Sequence, residues 1–274
     1  MYAPHRIPLV TCRGMTMVNI EQVPNKNGNG HKYRVTGDER INPEHLLPTC
    51  SGISQYSDTR GGDGLLYWAV NLYIDSGNRA EFLEEQERSK SIGTALHKEI
   101  EEYIYTEQPP DNASDLFGAW YSSLNEAGVT FYTAEKPVYH PYLLYGGTLD
   151  AIGYVDGVPT LFDWKTTDEY RLDRDKQGHV TLVNGEPKRK RKSPSEFRNV
   201  PYAVQLGGYM SALKQMAERE DLVIPQQAYI IYIFKDTNNV RWEKVDLSAA
   251  ERVFASCANL GESIAHKGGM YANT

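Results

Sequence analysis

Long apolar runs are missing from this sequence. No stretch approaches the ~20 residues that a membrane span requires, so a helical membrane protein is excluded and no membrane partner is expected. The opening residues, MYAPHRIPLV, have no basic start leading into an apolar segment, so no secretory signal is expected. They are not rich in Arg and Ser either, as a transit peptide would be. Cysteine is scarce. Cys12, Cys50 and Cys257 form an odd and scattered set, which suits a reducing cytoplasm and excludes a disulfide framework. Three thiols cannot supply the four ligands of an iron–sulphur cluster. No GxxxxGK[ST] occurs, which excludes a P-loop motor such as a helicase.

What is present suits one large domain, or one domain with an appendage. The chain has 274 residues, with 40% hydrophobic and 24% charged residues, and carries a net charge of −7. That charge is uneven. Residues 171–200 hold nine Lys/Arg against four acids, which leaves −12 on the remainder. A basic segment on an acidic body argues for steering a polyanion locally rather than coating it.

Residues 14–36 read as a β-hairpin, GMTMVNIEQV and HKYRVTG around the turn cluster NKNGNG. Helical spacing covers 64–75, 79–107 (read as two helices meeting near Ser91–Gly93), 115–128 and 200–219. A last helix closes the chain, with Ser248 as its expected N-cap. Strand signals occupy VTFYTAEKPVYH, YLLYGGTLDAIGYV, VPTLFDWKTT and AYIIYIFK, with RWEKVDL pairing to the last. Residues 168–199 form a charged insertion with its own hairpin at Asn184-Gly185.

The Asp156-Gly157 pair is a strong two-residue hairpin signal. It pairs Val155 with Val158, and counting outward places Asp150 opposite Asp163, with Cβ atoms ~5 Å apart. Lys165 lies two residues on, on the same face. Leu149, Ala151, Val155, Phe162 and Trp164 are expected on the other, buried face. Facing carboxylates destabilise a strand pair. A divalent cation between them offsets the repulsion, and oxygen ligands favour Mg²⁺ or Mn²⁺. With a lysine beside a metal-bound water, these are the parts of metal-assisted phosphodiester hydrolysis. The plain alternative is an exposed strand on which Lys165 is an ion partner.

Four segments, GTALHKEIEEY (93–103), GTLD (147–150), FDWKTT (162–167) and QLGGY (205–209), occur in an order that resembles the RecB-type branch of the PD-(D/E)XK nuclease superfamily. LPTCSGI (47–53), followed by a Trp-containing helix, is similar to the start of phage exonucleases and of the mitochondrial genome maintenance exonuclease. The resemblance covers roughly residues 45–235. It implies a restriction-endonuclease-like α/β core, a central mixed β-sheet flanked by helices, over 46–274. Residues 1–45 form an N-terminal hairpin extension. It implies Asp150, Asp163, the backbone carbonyl of Trp164 and His97 as ligands of one or two Mg²⁺ or Mn²⁺ ions. Glu135 matches an acidic position of some members, and Glu101 an acid that supports the ligands from behind. Lys165 becomes the catalytic lysine, with Gln205 and Tyr209 positioning the scissile phosphate or supporting Lys165. Some relatives carry an iron–sulphur cluster; this chain lacks the cysteines and departs from them.

The expectation is therefore a metal-dependent DNA exonuclease of replication, recombination or repair, in a bacterial or phage-infected cell. It would act on single strands or duplex ends, with a single-strand-binding or annealing protein as a partner. Lys188, Arg189, Lys190, Arg191, Lys192 and Arg198 are expected to contact DNA. A structure-selective endonuclease, a nuclease subunit of a recombination complex, a hydrolase of small phosphate esters and a non-catalytic nucleic-acid-binding module are the alternatives.

Overall fold

The computed structural model describes residues 17–25, 30–58 and 79–265. The helix expected over 64–75 lies outside the described residues, as does Cys12.

Strands β1 (Asn19–Pro24) and β2 (His31–Thr36) form the expected antiparallel hairpin. Alternation along β2 turns Tyr33 and Val35 inward, where both are buried. The chain then enters a short helix, α1 (Cys50–Ser54), capped by Thr49, whose hydroxyl accepts from the Gly52 N–H at 3.0 Å. Helix α2 (Arg79–Thr106) is one continuous element. The break expected near Ser91–Gly93 does not occur, and Gly93 has a packing reason to be small. A Cβ there would meet Thr166 Oγ1 at 3.3 Å. Helix α3 (Asp115–Glu126) starts at Ser114, which accepts from the Phe117 N–H and donates to Glu99 on α2. It ends just before Gly128, which takes a left-handed φ of 62°.

Strands β3 (Thr130–His140), β4 (Tyr145–Val155) and β5 (Val158–Thr167) form an antiparallel meander. Asp156 and Gly157 both have positive φ, 51° and 76°, as the expected two-residue turn demands. An arm follows, built of β6 (Tyr170–Leu172), β7 (Leu182–Val183), β8 (Glu186–Pro187) and β9 (Arg189–Arg191). Its inner hairpin turns at Asn184-Gly185, as the sequence reading expects. The chain passes through α4 (Pro194–Phe197) and α5 (Val200–Met216) into β10 (Gln227–Phe234), parallel to β5. A parallel return needs a long crossover, and the arm with α4 and α5 supplies it. β11 (Val240–Val245) pairs antiparallel to β10, and α6 (Leu247–Ala265) closes the described chain. Its cap is Asp246, which accepts from the Ala249 N–H at 3.0 Å, and not Ser248, whose hydroxyl accepts from Arg252.

The protein is thus of the expected mixed α/β class. A five-stranded sheet in the order β11-β10-β5-β4-β3 is flanked by helices and joined by an N-terminal hairpin. Among the described residues, no helix is long and apolar enough to cross a membrane. Both faces of the sheet are buried. Ala151, Phe162 and Trp164 pack with Leu96 and Ile100 of α2 and Phe117 and Trp120 of α3. Ile152, Leu161 and Tyr232 pack with the hairpin, α1, α5 and α6. Leu149, expected beside Ala151, belongs to this second group. The alternation of β4 therefore breaks between Leu149 and Ile152, and Asp150 occupies the break.

Candidate functional site

The site forms where the ladder of β4 and β5 stops. Cα pairs run from Val155–Val158 to Ala151–Phe162, the register set by the Asp-Gly turn. Asp150 and Asp163 are the next positions. There a side chain replaces the backbone partner, and the Trp164 N–H donates to Asp150 Oδ2 at 2.7 Å. On the other edge of β4, pairing passes from Ala134–Ala151 to Lys136–Leu149. Glu135 lies between these pairs with φ of 44°. A left-handed backbone is strained for a residue with a Cβ. The strain coincides with the carboxylate of Glu135 meeting His97 of α2, whose Nδ1 is 3.5 Å from Glu135 Oε1 and 3.9 Å from Asp150 Oδ1.

His97, Glu135 and Asp150 thus offer one imidazole nitrogen and two carboxylate oxygens within 4.8 Å of one another. Burial alone would lower the pKa of His97, but the Asp150 and Glu135 carboxylates outweigh it and hold it at about 9. Glu101 sits one turn further along α2, half-buried.

Asp163 stands beside this trio rather than in it. It is fully buried, and Lys165 Nζ lies 2.6 Å from its Oδ2. The approach is not a well-aligned hydrogen bond, and among the described residues both oxygens of Asp163 lack a hydrogen-bond partner. Burial pushes the Asp163 pKa up against the pull of Lys165, and Asp150 pushes it further. For Lys165, burial opposes the charge, yet Asp163 and Asp150 together keep the ammonium protonated. The symmetrical pair of facing acids expected from the turn is therefore modified. Asp150 gives one oxygen to the Trp164 amide and turns the other toward His97, while Asp163 takes the lysine. Of the plain alternative, the exposed strand fails, since both acids are buried, while Lys165 is an ion partner of Asp163.

Helix α5 closes the site from the other face. Gln205 Nε2 donates to Tyr209 Oη at 2.5 Å, so the expected i, i+4 pair is made. Tyr209 reaches β4 because Gly147 has no side chain; a Cβ there would stand 2.6 Å from Tyr209 Cε1. Burial, followed by the fields of Cys50, Asp150 and Asp163, holds the Tyr209 hydroxyl neutral and able to donate. Two residues escaped the sequence reading. Tyr202 places its ring 5.0 Å from Lys165 Nζ, a cation–π contact. Its spacing to Gln205 and Tyr209 (i, i+3, i+7) is the signal that would have found it. Cys50 donates to the Gln205 carbonyl at 3.5 Å, and no local pattern announces that contact.

The donor set suits a hard divalent cation. A buried acid with orphaned oxygens is costly, and carboxylates completed by water are how Mg²⁺ and Mn²⁺ are held. Asp150, Asp163, Glu135 and His97 are the side chains that would hold one. For Trp164 the observed contact is its N–H on Asp150 and its indole in the core.

The basic run is more neutralised than the sequence implies. Lys188 pairs with Asp173, Arg189 with Asp236, Arg191 with Glu169 and Arg198 with Glu243. Exposed pairs of this kind are worth little, so a phosphate can compete for the cations. Glu169 is buried, however, and needs Arg191. Substituting Lys188 and Lys190 by Ser spares that pair. It is expected to weaken DNA binding and to flatten the slope of log affinity against log salt by about 1–2. An unchanged slope in a salt titration would remove these lysines from the phosphate contacts.

No family model matches the sequence, and no curated protein matches it. Among solved structures, the chain is similar to the "Crystal structure of SSO0001" at 13% identity, over 69% of this chain and 68% of that one, with a TM-score of 0.30. A likeness that loose speaks for neither fold nor function.

Proposed function

We propose that the chain is a metal-dependent deoxyribonuclease that hydrolyses phosphodiester bonds, acting as an exonuclease at strand ends or on single strands. The observation that carries the reading is the buried Asp163 carboxylate. Among the described residues it lacks a hydrogen-bond partner, with Lys165 at 2.6 Å and the His97–Glu135–Asp150 trio beside it. A carboxylate buried beside a second acid is costly to the fold, and a cation held for a reaction would offset that cost.

A bound Mg²⁺ or Mn²⁺ would polarise the phosphoryl oxygens and acidify the attacking water. The chain's own groups divide the remaining work. The carboxylates of Asp150, Asp163 and Glu135 and the imidazole of His97 supply ligand atoms, so His97 must give up its proton when it ligates. Lys165 keeps a protonated ammonium at the reacting end of β5, where it can orient the water and offset charge building on the phosphate. Tyr202 packs under that ammonium and limits its movement. Gln205 orients the Tyr209 hydroxyl, whose proton is free to hydrogen-bond a phosphate oxygen.

Incubation of end-labelled single- and double-stranded DNA with Mg²⁺, Mn²⁺ or EDTA tests the reading. Metal-dependent release of mononucleotides or short products from the ends is expected. Internal cuts would make the enzyme an endonuclease, and intact DNA under every condition would refute the proposal.

A further inference from the structure

The C-terminal end of β5 carries polar side chains that the reaction above leaves unused. Thr167 lies two residues beyond Lys165 on the same face of the strand, about 7 Å further along. Lys192, returning from the arm, brings Nζ to 3.4 Å from Thr167 Oγ1. Lys235 follows β10 and donates its backbone N–H to the Thr167 carbonyl at 2.8 Å. Its Nζ is 3.1 Å from Ser89 Oγ on α2. All four residues are half-buried, open on one side to solvent.

The charges here do not balance. Lys188, Arg189, Arg191 and Arg198 each hold a carboxylate, whereas among the described residues Lys192 has none within ion-pair distance. Asp168 is 3.9 Å from Lys235 Nζ. Asp236 is committed to the Glu169 and Tyr170 amides and to Arg189. Burial holds the pKa of Lys192 down, with Asp168 and Asp236 opposing and Lys235 adding to the effect. Of the carboxylates that act on Lys192, Asp236 is held by Arg189 and Glu196 by Arg171, which leaves Asp168 to two ammonium groups drawn partly out of water, an unfavourable balance alone. An anion between them removes the penalty. Two ammoniums and two hydroxyls are donors suited to phosphate oxygens.

We infer that Lys192, Lys235, Thr167 and Ser89 form a phosphate subsite beside the reacting centre, which takes a backbone phosphodiester one linkage from the one being cut. This rests on the nuclease reading of β5. The step from Lys165 to Thr167 is comparable to the separation of neighbouring phosphates along a strand, so a phosphate held in the subsite places the adjoining one at Lys165. Lys192 and Lys235 are positioning residues, and their contribution is to register.

The test uses fluorescent single-stranded oligonucleotides, each with one uncharged methylphosphonate linkage, stepped along the strand. Binding is measured in EDTA by anisotropy for the wild type and for Lys192→Gln/Lys235→Gln. At one internal position the neutral linkage is expected to weaken wild-type binding about tenfold, and to leave the double variant nearly unaffected. Lys192→Arg should restore the discrimination. Equal losses in both proteins at every position would overturn the inference. So would an effect confined to oligonucleotides with and without a terminal phosphate, since the site would then take a monoester. Should the double variant fail to melt cooperatively, Lys192→Gln alone carries the same comparison. Cleavage in Mg²⁺ is scored separately. DNA that binds with this discrimination but is never cut defeats the nuclease reading and leaves the subsite. DNA that is cut without discrimination does the reverse.

Discussion

Asp163→Asn is expected to lower metal-dependent cleavage by about 10³-fold or more, and Lys165→Ala by a similar factor, while DNA binding in EDTA changes little. The more telling result is the melting temperature of Asp163→Asn. In the wild type, Asp163 is fully buried, and among the described residues its oxygens accept no hydrogen bond. Such a group costs about 1–3 kcal/mol. Removing its charge relieves that cost but takes from the Lys165 ammonium the carboxylate 2.6 Å away, so the two effects oppose and the melting temperature should move little, even as turnover collapses. A residue serving the fold would behave the other way, with stability lost and any surviving activity proportional to folded protein. Turnover within tenfold of wild type in either variant, measured on end-labelled DNA, would refute the assignment. Asp150 also favours the Lys165 ammonium, but less than Asp163 does, so the loss in Asp163→Asn combines the missing ligand with a weaker hold on the lysine.

How much of this was legible beforehand follows from how local each signal is. The Asp156-Gly157 turn set the register of β4 and β5, and five consecutive pairs follow it. It could not reveal that the ladder stops at Asp150, because the cause is a side chain inserted opposite the Trp164 amide. Leu149 was misplaced for the same reason: strict alternation fails across an unannounced break. The helix α2 stays whole through Gly93, where propensity favours a break; the glycine instead fits a close approach to Thr166, which a Cβ would meet at 3.3 Å. His97 and Glu135 were named from resemblance alone. Their meeting depends on the left-handed Glu135 backbone, which no pattern in VTFYTAEKPVYH discloses. The basic run shows the opposite failure. Counting charges within 171–200 missed its outside partners, Asp236, Glu169 and Glu243, which tertiary structure brings to it.

Gly207→Ala is expected to destabilise the protein and disturb the site together, while the same change at Gly118 does neither. Both glycines lie inside helices, where alanine is favoured by about 1 kcal/mol. At Gly118, on the exposed side of α3, an added Cβ meets nothing within 4 Å, so the full propensity gain should appear as stabilisation. At Gly207 the Cβ would lie 2.3 Å from the Ala250 carbonyl carbon and 2.5 Å from its oxygen. These are backbone atoms of α6, and no rotamer change can move them. Forcing α5 away from α6 costs about 3 kcal/mol, which leaves a net loss near 2 kcal/mol and a fall of roughly 4–8 °C in melting temperature. Because Gly207 sits between Gln205 and Tyr209, that displacement is transmitted to the two residues that close over Asp163 and Lys165. Activity should therefore fall in Gly207→Ala even below its melting transition, and stay at the wild-type level in Gly118→Ala. Calorimetry on the two variants, with cleavage assayed at a temperature where both are folded, separates the effects. A stability change of the same sign in the two variants, or full activity in Gly207→Ala, would mean that the contact between α5 and α6 does not hold the site in place.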